Sequence, residues 1–254
     1  MKIIIHGGFF SESSTSMDTK KAKQQALASI VKKAYDYLQT HTALQTVVYA
    51  VSLLEDDELF NAGLGSQVQS DGKIRLSASL MEGRSQRFSG VINLENIKNP
   101  IQVSERLLHC EDRVLSGDGA FNFAMDCGFK PFDPLTPQRK QEYEAKLNQS
   151  SRTGTVGCVA MDAEGKIAAG TSTGGKGFEI PGRVSDSATV AGNYANAFAG
   201  ISCTGIGEDI INTALAAKIV VRVTDGFSLQ EACEKSFEEL KLIGGFAGVI
   251  GISA

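Results

Sequence analysis

At residue 154 the character of the sequence changes. Residues 138–152 are polar, and Asn148-Gln-Ser-Ser-Arg-Thr-Gly154 reads as an exposed loop tip where a break in the chain is tolerated. From Thr155 two short apolar runs follow, residues 155–161 and 166–171, split by the turn Asp162-Ala-Glu-Gly165 and predicted as strands. Upstream, residues 2–5 form a β-branched run stopped by Gly7-Gly8, while Ala26, Ile30, Ala34 and Leu38 recur at spacing four and predict a helix with Asp18 as its N-cap. Residues 43–54 are a second apolar segment; residues 74–80 alternate as a half-buried strand, and 90–94 make another. Helices are predicted at 103–109, 116–128 and 137–147, then a strand at 199–203, helices at 208–223 and 228–242, and a last strand at 248–252. Strands and helices mix without a βαβ alternation, so the order predicts an α+β layered sandwich and not a doubly wound sheet.

A chain of 254 residues can bury a sizeable core. Lys+Arg 25 against Asp+Glu 29 leaves a net charge of −4, with no basic field for nucleic acid or anionic lipid. No stretch approaches the ~18 apolar residues of a membrane span, and the three apolar residues after Lys2 fall short of the ~7–15 of a signal sequence. A cytoplasmic protein without a membrane partner is expected. Five cysteines, with no C-x-x-C and no cluster with His6, His41 or His109, predict reduced thiols and no zinc. The 27 glycines exceed an average of about 18, and they concentrate between Gly154 and Gly207.

One glycine-rich window fits two active-site patterns. From Gly170 to Lys176 it matches G-x-x-x-x-G-K, but Gly177 stands where a phosphate loop needs Ser or Thr, and Pro181 follows too soon for a phosphate-cradling helix. A nucleotide-binding module at Gly170–Lys176 stays as the alternative from a different class. The same window fits G-x-S-x-G, yet that mechanism needs an Asp and then a His after the Ser, and the last histidine is His109. What remains is a set of hydroxyls with no histidine near them in sequence. A Thr freed at a chain N-terminus solves this, because its own α-amine, with a pKa of about 7.7–8.0, takes the hydroxyl proton. Gly154-Thr155-Val-Gly157 offers such a Thr, although alone it reads first as the start of a strand.

Thr155-Val-Gly-Cys-Val-Ala, Thr171-Ser-Thr-Gly-Gly175, Pro181-Gly-Arg-Val-Ser-Asp-Ser187, Tyr194-Ala and Ser202-Cys-Thr-Gly-Ile-Gly-Glu208 strongly resemble, in order and spacing, the plant-type asparaginases and isoaspartyl peptidases. Ile5-His-Gly-Gly8, Phe60-Asn-Ala-Gly-Leu-Gly65 and Leu80-Met-Glu-Gly83 resemble the same N-terminal-nucleophile family. The resemblance implies a four-layer αββα sandwich, cut between Gly154 and Thr155 into an α subunit (1–154) and a β subunit (155–254) of one domain. It makes Thr155 the nucleophile, with Thr173 orienting its hydroxyl and Asn61 bonding nearby; without it Thr173 is a strand-end residue and Asn61 a turn residue. Arg183 would hold the substrate α-carboxylate and Asp186 the α-ammonium, where otherwise the two would pair on the surface. Thr204 and the Gly205 N–H would form the oxyanion hole, with Gly205 and Gly207 against the substrate. It further implies a structural sodium on the main-chain oxygens of Leu54, Glu55, Asp57, Phe60, Ala62 and Leu64, no cofactor for catalysis, a small-molecule or dipeptide substrate, and a homodimer of cleaved heterodimers.

The sequence departs from the family pattern at Ser77, where an Asp is common, at Ser185, where a Gly is common, and at Phe9-Phe10. Glycosylasparaginase or threonine endopeptidase activity within the same superfamily, and an uncleaved silent relative, are the remaining alternatives.

Overall fold

The computed structural model describes residues 1–8, 17–146 and 154–254; the loop tip at 148–152, the predicted helix end at Leu147 and Phe9-Phe10 lie outside the described residues. In chain order the elements are β1 (Lys2–His6), α1 (Met17–Leu38), α2 (Ala43–Glu55), β2 (Leu76–Glu82), β3 (Arg87–Leu94), α3 (Pro100–Leu107), β4 (Val114–Ser116), α4 (Gly117–Asp126), α5 (Pro137–Lys146), β5 (Val156–Met161), β6 (Ile167–Thr173), β7 (Asn193–Ala195), β8 (Ala199–Gly205), α6 (Gly207–Thr213), α7 (Leu215–Thr224), α8 (Leu229–Leu242) and β9 (Ala247–Ser253). Among the described residues the strands form two sheets, β1-β5-β6-β2-β3-β4 and β7-β8-β9. All neighbours are antiparallel except β3 and β4.

The alternation of side chains explains the layering. On β5, Val156, Cys158 and Ala160 point into a core shared with α2, while Val159 points the other way, into a core between the sheets with Met81, Ile167, Ala169 and Ile252. On β8, Ile201 and Cys203 face a third core with Leu215, Ile219 and Val220 of α7. Four layers result: helices α1–α4, the large sheet, the small sheet, and helices α6–α8. Full burial of each Val or Ile contributes about 1.5–3 kcal/mol relative to exposure, so β5 and β6, covered on both faces, are the firmest place to hang a site.

Several boundaries differ from the sequence reading. Asp18 lies inside the first turn of α1 and not at its N-cap, where its charge still favours the helix dipole. The helix expected at 103–109 starts at Pro100, whose fixed φ suits a first helical position. The helix expected at 208–223 is two, because Ala214 adopts φ 48° and separates α6 from α7. A left-handed alanine costs about 1–2 kcal/mol, offset here when Ala216 and Ala217 donate to the carbonyls of Ala191 and Val190. Strands β6 and β8 each run two residues past their predicted ends, bringing Thr173 and Gly205 into the ladders. The short strands β4 and β7 carry too few residues for a periodic signal.

Glu55, fully buried at the end of α2, accepts from the Ile101 N–H at 3.1 Å and from Asn99 at 3.2 Å. Burial pushes its carboxyl up to about 8, against the bonds from Ile101 and Asn99. A raised folded-state pKa stabilises below the unfolded value near 4.5, and that contribution is lost as pH rises toward 8. Urea melts should therefore show stability falling between pH 5 and 8 by on the order of 3 kcal/mol more in the wild type than in Glu55→Gln. Equal slopes for the two proteins would refute this.

Candidate active site

Three strand ends and two loops meet at residue 154. β1 ends at Gly7-Gly8, and Gly8, at φ +101°, lies so near the junction that a Cβ there would sit 3.2 Å from Gly154 Cα and from Thr155 N. Thr155 immediately precedes β5 and is buried. Its hydroxyl donates to Thr173 Oγ1, at the end of β6, over 3.4 Å. Thr173 Oγ1 in turn donates to the Gly154 carbonyl at 3.0 Å and accepts from the Gly175 N–H at 3.1 Å, so its one proton and both lone pairs are used.

Asn61 comes from the loop after α2. Its Nδ2 donates to the Gly154 carbonyl at 2.7 Å and to the Gly175 carbonyl at 2.6 Å, and its Oδ1 accepts from the Gln67 N–H at 2.9 Å. Exchanging the amide oxygen and nitrogen would set an oxygen against two carbonyls, so this network admits one orientation. The carbonyl of the 154–155 peptide bond thus sits between two donors, with a hydroxyl on the following residue.

Arg183 and Asp186 lie on the segment leading to a short 3-10 turn, beside Gly207 at the start of α6. A Cβ on Gly207 would meet Arg183 Nη2 at 2.7 Å and Asp186 Oδ1 at 2.8 Å, so the missing side chain lets the two charges converge. Arg183 does not pair with Asp186. Its Nε and Nη2 donate to the two carboxylate oxygens of Glu208 at 2.7 and 3.0 Å, which holds Glu208 down to about 2. Burial pushes Asp186 up to about 7, with the nearby Arg183 charge opposing, and its Oδ2 has no hydrogen-bond partner among the described residues. Glu208 was part of a motif but carried no role in the sequence reading; its signal was its place one residue into α6, within reach of Arg183 only once the chain is folded.

Gly154, Thr155, Thr173, Arg183, Asp186, Gly205 and Gly207 line one cleft of about 10 Å³, room for about one water molecule. Thr204, buried one residue before Gly205 on β8, is not among its described lining residues. Lys176 lines the cleft too and pairs with Glu208 at 3.6 Å. It follows β6 in a loop with no helix before the turn at Asp186, so Gly170–Lys176 lacks the helix N-terminus a phosphate site needs, and the nucleotide-binding alternative falls. His6 turns Nε2 to Ser202 Oγ at 3.0 Å, and burial pushes its imidazole down to about 4, leaving a weak base at neutral pH. Ser77, opposite Thr173 in the ladder, accepts from the Asn93 N–H at 3.2 Å.

Among the described residues no group of three or more His, Cys, Asp or Glu could hold a metal ion, and no helix is long and apolar enough to cross a membrane. All five cysteines are free thiols, with Cys158 and Cys203 buried.

Two sheets stacked between helical layers, with a Gly-Thr junction entering a central strand, define the αββα sandwich of the N-terminal-nucleophile hydrolases. A family model described as asparaginase matches residues 1–254. The chain is 49% identical over 259 residues to an isoaspartyl peptidase/L-asparaginase of Synechocystis sp., covering 94% of this chain and 77% of that protein. It is 47% identical over 261 residues to the protein of the same name from Nostoc sp. (94% and 81%) and 36% identical over 257 residues to a plant-type L-asparaginase of Pyrococcus furiosus (91% and 82%). The chain belongs to the asparaginase family.

Proposed function

We propose that this chain is a self-processing amidohydrolase that hydrolyses the side-chain amide of L-asparagine and the isopeptide bond of β-aspartyl peptides, with Thr155 as nucleophile. The observation that carries this reading is the Gly154 carbonyl, held by Asn61 at 2.7 Å and Thr173 at 3.0 Å beside the Thr155 hydroxyl. In maturation Thr155 Oγ adds to that carbonyl, the two donors stabilise the oxyanion, and the C–N bond breaks as the hydroxyl proton passes to the Thr155 nitrogen, leaving an ester and a free amine. Water then hydrolyses the ester, releasing Gly154 as a carboxylate. A cleft of about 10 Å³ has no room for an amino acid, so departure of the Gly154 carbonyl is what opens it.

In turnover the Thr155 amine takes the hydroxyl proton and Oγ attacks the substrate's side-chain carbonyl. Thr204 and the Gly205 N–H hold the oxyanion, ammonia or the peptide amine leaves with the proton, and water hydrolyses the β-aspartyl ester. Asp186, with an unpartnered oxygen, suits the α-ammonium, and Arg183 suits the α-carboxylate. Beyond Lys176 and Arg183 a hollow of about 580 Å³ lined by Phe178, Ile180 and Pro181 gives room for the leaving residue of a β-aspartyl peptide. The reading is tested by incubating purified protein with asparagine and with a β-aspartyl dipeptide: aspartate release from either supports it, and release from neither overturns it.

Two groups must be deprotonated for catalysis: Asp186, pushed up to about 7, and the Thr155 amine, near about 7.7–8.0. Both carry protons at low pH, so log kcat/KM for asparagine should fall with a slope approaching two below pH 7. Asp186→Asn should reduce that slope to one; an unchanged slope would count against Asp186.

A sodium ion would be held by the main-chain oxygens of Leu54, Glu55, Asp57, Phe60, Ala62 and Leu64, fixing the loop that carries Asn61. The fit is supported at two glycines: a Cβ on Gly63 would strike the Glu55 carbonyl oxygen at 2.4 Å, and one on Gly65 the Phe60 carbonyl oxygen at 2.0 Å, so these oxygens crowd an inner turn where hard cations find ligands. Replacing sodium by choline should lower Tm by several degrees, and identical melts would remove the site. The cytoplasm suits five unpaired thiols, and the exposed Ile206, Ile211 and Phe246 suit a dimer of cleaved heterodimers, which light scattering tests.

A further inference from the structure

We propose that Ser185 is a substrate-binding residue whose hydroxyl donates to the α-carboxylate of the substrate beside Arg183, tightening selection for a free amino-acid end; this rests on the amidohydrolase reading above. Ser185 precedes the 3-10 turn Asp186–Ala188 as its N-cap, in extended backbone, yet its side chain makes no capping bond. It is 6% exposed, its Oγ has no hydrogen-bond partner among the described residues, and it lines the cleft with Thr155, Arg183 and Asp186. A buried serine normally spends its hydroxyl on the fold, as Ser79 and Ser89 do by donating to main-chain carbonyls at 2.6 and 2.7 Å. Ser185 does not, and leaving a buried hydroxyl unbonded disfavours the folded chain.

Alternation along the segment says which end of the substrate the hydroxyl meets. Val184 is 43% exposed, while Arg183 and Ser185 on either side of it are turned inward, as i and i+2 are in extended chain. Arg183 already spends Nε and Nη2 on Glu208, so it meets a carboxylate through its remaining N–H groups only. A carboxylate oxygen left beside it has an unused donor in Ser185.

The test compares wild type with Ser185→Ala on L-asparagine and on 3-aminopropanamide, a carboxamide that keeps the scissile amide and the ammonium but has no carboxylate or other acceptor at that carbon. Ser185→Ala should raise KM for asparagine about tenfold, with kcat within threefold, and leave kcat/KM for the carboxamide unchanged. Its Tm should equal or exceed that of wild type, which a structural serine would not allow. If the Ala variant does not mature, Ser185→Gly takes its place, and failure of both to mature overturns the assignment, since the hydroxyl then serves folding. An equal penalty on both substrates, or an unchanged KM for asparagine, also overturns it. A wild type inactive on asparagine would overturn the amidohydrolase reading itself, a separate outcome.

Discussion

Thr155→Ala is expected to remain a single 27.0 kDa chain on denaturing mass analysis after any incubation, while wild type resolves into fragments 1–154 and 155–254. Hydrolysis of asparagine should fall by at least about 10⁴-fold, because the substitution removes both the attacking oxygen and, by preventing cleavage, the free amine that takes its proton. The fold should survive: among the described residues the Thr155 hydroxyl makes one bond, a long 3.4 Å to Thr173, so the change in stability should stay within about 1 kcal/mol. Thr155→Ser, which keeps an oxygen at the same atom, should still mature, more slowly. Cleavage of Thr155→Ala at the same bond, or a wild type that never divides, would sink the proposal.

Asn61→Ala should slow maturation by about 10²–10³-fold, the usual cost of one oxyanion donor. The shorter of the two bonds to the Gly154 carbonyl is the one from Asn61, at 2.7 Å, and it strengthens as charge builds on that oxygen. The variant also removes the Asn61 bonds to the Gln67 N–H and the Gly175 carbonyl, so its Tm must be measured beside its rate. Asn61→Asp is the sharper companion: it keeps an acceptor for Gln67 but sets a negative charge against the developing oxyanion, and should mature more slowly still. Rates within threefold of wild type for both would place the stabilising donor elsewhere.

Much of the fold was legible because it rests on local pattern. The apolar runs at 155–161 and 166–171, split by a turn, predicted β5 and β6, and spacing four from Ala26 predicted α1. What local pattern missed was set by distant partners. The left-handed Ala214 depends on carbonyls at Val190 and Ala191, and alanine otherwise favours a continuous helix. The spacing of Lys176 after Gly170 kept a nucleotide-binding alternative open, whereas the fold turns Lys176 toward Glu208.

The sequence by itself offered Thr155 as a candidate, where a polar stretch, a glycine and the first residue of an apolar strand are adjacent, and the resemblance to the plant-type asparaginases singled it out. The same resemblance marked Arg183 and Asp186. Only the tertiary structure decided that Asn61, 93 residues away, holds the Gly154 carbonyl, that Glu208 and not Asp186 pairs with Arg183, and that the Ser185 hydroxyl is left unspent. The physical reason is that hydrogen bonds and ion pairs act over about 3 Å in space, and which residues come that close is settled by how the layers pack, which no periodicity along the chain records.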